Sequence, residues 1–194
     1  MTDAAIRAFV AIELPASLQA AINDVMRGLQ QTSGKAVRWV TPRNLHLTLK
    51  FLGNVSPTNL TTLMKSITLE SARHKAFDCT IGTLGAYPNK ARPRIVWVGV
   101  QAPPALLELQ RAIDRETDRL GYPGEDRDFS PHLTLGRVSQ HASAQEVKQV
   151  ADTLNQAEVG QIGAVNVDSI RLFRSDLQAG GAVYTSLLSA ALSK

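Results

Sequence analysis

The tetrapeptide HLTL occurs twice in this chain of 194 residues, at His46–Leu49 and again at His132–Leu135. With average residue usage, some repeated tetrapeptide arises by chance in a chain of this length roughly one time in five. Identity alone therefore decides little, and context decides more. Two of only four histidines hold the same place in both copies. Each copy alternates side chains as a strand does and follows a turn (TPRN, DFSP). A helix start comes after a short loop in both cases, at Ser56 and at Ser143. What repeats is strand, loop and capped helix, which predicts two duplicated lobes related by a pseudo-two-fold.

Side chains two apart on a strand share a face. His46, Thr48 and Lys50 are thus expected on one side, with Leu47, Leu49 and Phe51 turned to a core. His132 and Thr134 pair likewise, backed by Leu133 and Leu135. The same rule sends Arg137 to the leucine side. A bulge at Gly136, or a long side chain curling back from the strand end, would return it to the histidine side. Under a two-fold, the two His-x-Thr faces look at each other across a cleft.

The rest of the chain reads as α+β, with strands and four helices interleaved. Ile6 to Leu14 is an apolar run ending at Pro15, and Leu18, Ile22, Val25 and Leu29 then fall at helical spacing. Val37 to Val40 is a short strand. Ser56-Pro57 opens a helix bearing Leu60, Leu63, Met64 and Ile67. Strands at Phe77 to Leu84 and Arg94 to Val100 precede a helix from Pro103-Pro104 with Leu106, Leu109, Ile113 and Leu120 on one side. A loop from Gly121 to Pro131 leads to the second motif. Ser143 to Glu146 forms a capping box for the fourth helix. Two β-rich runs, Val165 to Phe173 and Ala182 to Leu188, flank Gly180-Gly181 and suggest a closing hairpin. No linker divides the chain, so one bilobal domain over residues 1–194 is expected.

Composition narrows the function classes. At 44% hydrophobic and 20% charged, the chain has ample material for a core and is not a disordered or coiled-coil sequence. The net charge of +4 is compatible with an anionic partner, yet no block of five basic residues marks a nucleic-acid tail. The N-terminus has the character of neither a signal nor a transit peptide, and no apolar run is long enough to span a bilayer, so the expected compartment is the cytoplasm. The single Cys79 leaves no internal disulfide and reads as a buried strand residue.

Two opposed imidazole–hydroxyl pairs suit displacement at phosphorus. Histidine's ordinary pKa of about 6.5 lets one ring act as base and the other as acid near neutrality. A threonine hydroxyl can donate to an oxygen on which charge accumulates. Such chemistry needs no metal when the leaving group is protonated as it departs. Nucleotide-binding loops, zincin motifs, nucleophile elbows and metal-spaced Cys/His clusters are absent from the sequence, and no cofactor is expected.

With RAFVAIELP near the start, RWVTPRNLHLTLKFLGNV at the first motif, RPRIVWVGV in the middle and FSPHLTLGRV at the second, the chain resembles the 2H phosphoesterases. Within them it is similar to the bacterial and archaeal RNA 2′,3′-cyclic phosphodiesterases, once called 2′-5′ RNA ligases. The resemblance implies two antiparallel sheets around a cleft with helices outside. It also implies metal-independent opening of an RNA 2′,3′-cyclic phosphate to a 2′-phosphate. By the same resemblance His46 is the proton donor, His132 the base, and Thr48 and Thr134 hold phosphoryl oxygens, with Arg137 near the phosphate. Lys50 is a further candidate for the RNA backbone, and Phe9, Trp39, Tyr87, Arg92 and Arg94 are candidates near the cleft. The implied partner is RNA with a cyclic phosphate terminus, such as tRNA fragments, or small cyclic nucleotides; no membrane and no obligate protein partner are implied. Three other activities fit the same residues: 2′-5′ ligation in reverse, hydrolysis of an ADP-ribose cyclic phosphate, and non-catalytic RNA or nucleotide binding.

Overall fold

Each of the repeated strands carries an unpaired leucine, and these two residues govern how the sheets display their side chains. The computed structural model describes residues 5–178 and 181–194. Along the chain lie β1 (Ile6–Glu13), α1 (Ala16–Ser33), β2 (Val37–Trp39), a 3₁₀ turn (Pro42–Asn44), β3 (His46–Val55), α2 (Pro57–Ser71), β4 (Phe77–Tyr87) and β5 (Ile95–Gln101). They are followed by α3 (Pro104–Asp118), β6 (His132–Val138), α4 (Ala144–Gln156), β7 (Gln161–Val167), β8 (Ser169–Gln178) and β9 (Gly181–Ala191). The strands form two antiparallel sheets, β3-β1-β8-β9 and β2-β6-β5-β4-β7. Setting β2 aside, the orders superimpose as β3 on β6, β1 on β5, β8 on β4 and β9 on β7. The two motif strands occupy equivalent places, and they run side by side where the sheets meet.

The helices begin where the sequence signals them. Ser56 Oγ accepts from Thr58 N ahead of Pro57 in α2, and both arms of the Ser143–Glu146 capping box are formed in α4. In α1, Leu18, Ile22, Met26 and Leu29 make one buried stripe. This helix follows a strand of the four-stranded sheet but packs against β7 and α4 of the other. The third helix, α3, follows the five-stranded sheet and packs against β3 and α2. Each sheet is thus backed by a helix launched from its neighbour. The core faces of both sheets, including Val10, Leu47 and Leu49 on one and Val98, Leu133 and Leu135 on the other, join one contiguous apolar cluster. Cys79 lies in it, and burial pushes its thiol up to about 11, with Asp78 adding to the shift.

One expected boundary moves. The run from Val165 to Phe173 is two strands belonging to different sheets: β7 pairs with β4, whereas β8 pairs with β1. The closing hairpin is β8–β9, and Gly180 lies outside the described residues.

The bulges change which residues share a face. In β3, Thr48 pairs with Ala11 and Lys50 with Val10, so Leu49 has no partner. In β6, Thr134 pairs with Trp97 and Gly136 with Val96, leaving Leu135 unpaired. An extra residue shifts a period-two pattern by one, so everything beyond it changes side. The carbonyl of each bulged leucine has a dedicated donor. Gln110 Nε2 of α3 reaches Leu49 O at 3.4 Å, and Val40 N reaches Leu135 O at 2.8 Å.

Lys50 therefore leaves the histidine face. It is 4% exposed on the core side and pairs with Asp114 of α3, one turn beyond Gln110. Its counterpart in β6 is Gly136, where a Cβ would stand 2.6 Å from Val37 Cγ1. Removing one partner of a buried pair strands the other charge. Because the Asp114 side chain keeps 35% exposure, the loss is screened below the range for full burial. Asp114→Ala is expected to lower unfolding free energy by roughly 2–3 kcal/mol, measured by urea denaturation. Asp152→Ala, which breaks the exposed pair with Lys148, should change it by less than about 1 kcal/mol. Lys50→Met in the Asp114→Ala background should recover most of the loss.

Candidate active site

On the four-stranded sheet, the face away from the core carries His46, Thr48 and Phe51 from β3. Opposite them in register stand Glu13, Ala11 and Phe9 from β1. Phe51, expected in the core, is 53% exposed because the bulge turned it outward. Phe9, Ala11 and Phe173 form a small apolar cluster of their own on this face, with Tyr184 packed against it. His46 sits in that cluster. Its ring centroid is 4.8 Å from Phe9 and 5.2 Å from Tyr184, the latter at 88°. A cavity of about 250 Å³ opens beside it, bordered by Glu13, Arg43, Asn44, Phe173 and Tyr184 among others.

On the five-stranded sheet, His132, Thr134 and Arg137 share a face. The bulge that brings Arg137 there is at Leu135, one residue earlier than the bulge at Gly136 that strict alternation requires. Tyr87 stands at 79° to the His132 ring with centroids 5.1 Å apart, and Trp97 lies 6.2 Å from it. The indole of Trp97 covers Gly85, where any Cβ would fall 2.2 Å from its ring atoms.

Both histidines are held in the same way. His46 Nδ1 lies 2.7 Å from the carbonyl of Asn44, and His132 Nδ1 lies 2.7 Å from the carbonyl of Ser130. A carbonyl only accepts, so each Nδ1 carries the proton and each Nε2 is left free. The two faces border one space. The phenol of Tyr184, packed on His46, has its pKa raised by burial, with Arg137 and Arg7 acting in the opposite direction. Arg137 of the second sheet thus acts on a side chain that touches the histidine of the first.

The electrostatic surroundings of the two rings differ. Burial among aromatics lowers the pKa of His46 below the ordinary 6.5, and the hydrogen bond to Asn44 only partly offsets this. Above pH 6.5 the ring is neutral in folded and unfolded chains alike. Below it the unfolded chain takes up a proton that the folded ring refuses, so stability is lost as pH falls from 6.5 through the lower folded value.

Several candidates fall elsewhere. Trp39 is opposite Gly136 on the core side and packs against the main apolar cluster. Arg92 and Arg94 line a separate groove of about 580 Å³ with Ala144, Val147 and Lys148 of α4. Asn44, Ser130, Trp97, Phe173 and Tyr184 are site residues that sequence reasoning passed over. Position offers a signal for two of them: Asn44 and Ser130 each precede a motif histidine by two.

A family model described as the 2′-5′ RNA ligase superfamily matches residues 9–179. The chain is 32% identical over 182 residues to a protein of Methanothermobacter thermautotrophicus named RNA 2′,3′-cyclic phosphodiesterase, covering 94% of this chain and 96% of that one. A protein of the same name from Archaeoglobus fulgidus is 32% identical over 181 residues, covering 93% and 97%. Among solved structures, Escherichia coli LigT complexed with 3′-AMP aligns with TM-score 0.79 at 28% identity, covering 98% of this chain and 99% of that one. TT0787 of Thermus thermophilus aligns with TM-score 0.80 at 26% identity, covering 95% and 97%.

Two outcomes check the description of the rings. Long-range proton–nitrogen spectra above pH 8 should show both His46 and His132 as the Nδ1–H tautomer, whereas a ring free of its carbonyl would favour Nε2–H. Comparing urea midpoints at pH 7.5 and 5.5, the wild type should lose more stability on acidification than His46→Gln. Equal losses would mean that burial does not depress the proton affinity of His46.

Proposed function

This chain belongs to the 2′-5′ RNA ligase superfamily, and on that premise we propose that it opens the 2′,3′-cyclic phosphate at an RNA 3′ end to a 2′-phosphate. The observation that carries the reading is the matched pair of His–Thr faces. Each lies just before a bulge, and each imidazole is pinned through Nδ1 so that Nε2 is free for proton transfer. In-line attack at phosphorus needs a base on one side and an acid on the other, and two lobes related by a pseudo-two-fold supply them. His132 takes the proton of the attacking water. His46 gives a proton to the departing 3′ oxygen, so that no alkoxide has to leave unprotonated. Thr48 and Thr134 donate to the non-bridging oxygens, whose charge grows in the transition state. Every proton lost by water is matched by one gained by the ribose, and no Lewis acid enters the scheme.

The positions after the two bulges are equivalent in fold and opposite in chemistry. Arg137 offers a guanidinium to the phosphate, and Phe51 an exposed ring against which a nucleobase stacks. A bound nucleotide is thereby oriented, charge toward one lobe and ring toward the other. His46 needs a proton to act as acid, and burial opposes that in the empty site. The incoming phosphate supplies the countercharge. The same lowered pKa favours one second reading, in which His46, neutral before substrate arrives, is the base and His132 the acid.

A substrate carrying sulfur in place of the 3′ oxygen separates these readings, because a thiolate leaves without protonation. On the ordinary substrate, His46→Ala and His132→Ala should each cut turnover by about 10² or more. On the sulfur substrate His46→Ala should recover while His132→Ala does not. Recovery of His132→Ala alone would exchange the two roles. Near-wild-type turnover of either variant on the ordinary substrate, with circular dichroism unchanged, would remove that histidine from the chemistry. Activity should survive exhaustive chelation; loss restored by zinc or magnesium would overturn the metal-free scheme. Phosphorus NMR should show a single 2′-phosphate product.

A further inference from the structure

The residue two before each histidine makes two attachments at once. Asn44 accepts from His46 Nδ1 with its carbonyl, and its side-chain Nδ2 donates to Ala182 O of β9 at 2.8 Å. Two residues along β9 stands Tyr184, edge-on to the His46 ring. The contacts close a circuit from His46 to Asn44, to β9, to Tyr184 and back. In the other lobe Ser130 accepts from His132 Nδ1 with its carbonyl, and its Oγ accepts from Tyr87 OH at 2.9 Å. Tyr87 is in turn edge-on to His132. This is a second closed circuit of the same plan.

The likeness is not inherited from the pseudo-two-fold. Tyr184 is on β9, whose counterpart is β7, and Tyr87 is on β4, whose counterpart is β8. Register places Phe173, not Tyr184, at the position equivalent to Tyr87: both lie one strand away from the residue facing the post-bulge position. The anchoring groups differ as well, an amide in one lobe and a hydroxyl in the other. Two unrelated sets of residues thus impose the same restraint on the two imidazoles. The need for it is physical. The outer torsion of histidine is broad, so one hydrogen bond to a carbonyl leaves the ring free to swing. An aromatic edge against the ring, tied to that same carbonyl's residue, removes the swing.

We infer that Asn44 and Ser130 are positioning residues, each locking one imidazole against a tyrosine edge so that Nε2 keeps a single direction into the cleft. The inference rests on the paired-histidine reading above. Neither residue touches the reacting atoms in this scheme; both act through the ring they hold.

Steady-state kinetics on a cyclic-ended oligoribonucleotide tests it with Ser130→Ala, Ser130→Thr, Tyr87→Phe, the double variant Ser130→Ala/Tyr87→Phe, and Asn44→Ala. Ser130 is exposed, so its variants keep the fold even if Asn44→Ala does not. In Ser130→Ala and Tyr87→Phe, kcat should fall about tenfold, as a small loss of alignment allows, with KM within twofold. Ser130→Thr, which keeps the hydroxyl, should retain wild-type kcat. The double variant should be no slower than either single one, because all three break one link. Asn44→Ala, where folded, should lose kcat to a similar degree. Unchanged kcat in Ser130→Ala, a rise in KM alone, or full additivity in the double variant would overturn the positioning role. A wild type inert on every cyclic phosphate would instead sink the phosphodiesterase reading, and this inference with it.

Discussion

A strand that alternated strictly from His46 onward would present His46, Thr48 and a lysine to the cleft, and would bury a phenylalanine. The unpaired Leu49 prevents this, and the unpaired Leu135 does the same in the other lobe. Because the side-chain period of a strand is two, one extra residue is enough to exchange faces, and it does so without disturbing the histidine and threonine before it. The cost is a carbonyl removed from the ladder. In each lobe a donor from outside the strand meets it, Gln110 from α3 in one case and Val40 from the end of β2 in the other. The composition of the cleft beyond its two threonines rests on these two compensated irregularities.

The bulges also show where the duplication stops being symmetric. After Leu49 come a buried lysine and an exposed phenylalanine; after Leu135 come a glycine and an arginine. Two lobes of equal backbone thus bear unlike groups at like positions. The surroundings of the histidines diverge too. His46 is enclosed by Phe9, Phe173 and Tyr184, and His132 stands beside Tyr87 and Trp97. A symmetric catalyst could not tell one ester oxygen from the other, whereas this one has a chemically distinct side for each.

Much of this is legible in the residues alone. The repeat exposes the two-lobed plan, helix caps at Ser56 and Ser143 mark where elements begin, and alternation places His46, Thr48, His132 and Thr134 on strand faces. The errors have one origin. Lys50, Phe51 and Arg137 were assigned by extending a period of two past a point where it breaks. The break leaves a trace: in both copies the apolar spacing lengthens from two to three at the same place, Leu47–Leu49–Leu52 and Leu133–Leu135–Val138. Trp39 and Arg94 fail for another reason, since the side of a sheet that meets a helix depends on crossovers that local pattern does not encode. Tyr184 and Phe173 reach His46 from strands more than 120 positions later in the chain, and no short-range signal announces such a meeting.

The exchange of helices between sheets bears on how the cleft works. Since α1 rises from one sheet to cover the other, and α3 does the converse, prising the sheets apart would strip apolar surface from both at once. The jaws are cross-laced rather than hinged. A gap of that kind keeps nearly the same width whether empty or filled, so its hydroxyls and rings are aimed before substrate arrives. Little reorganisation energy is then left for the chemical step to supply.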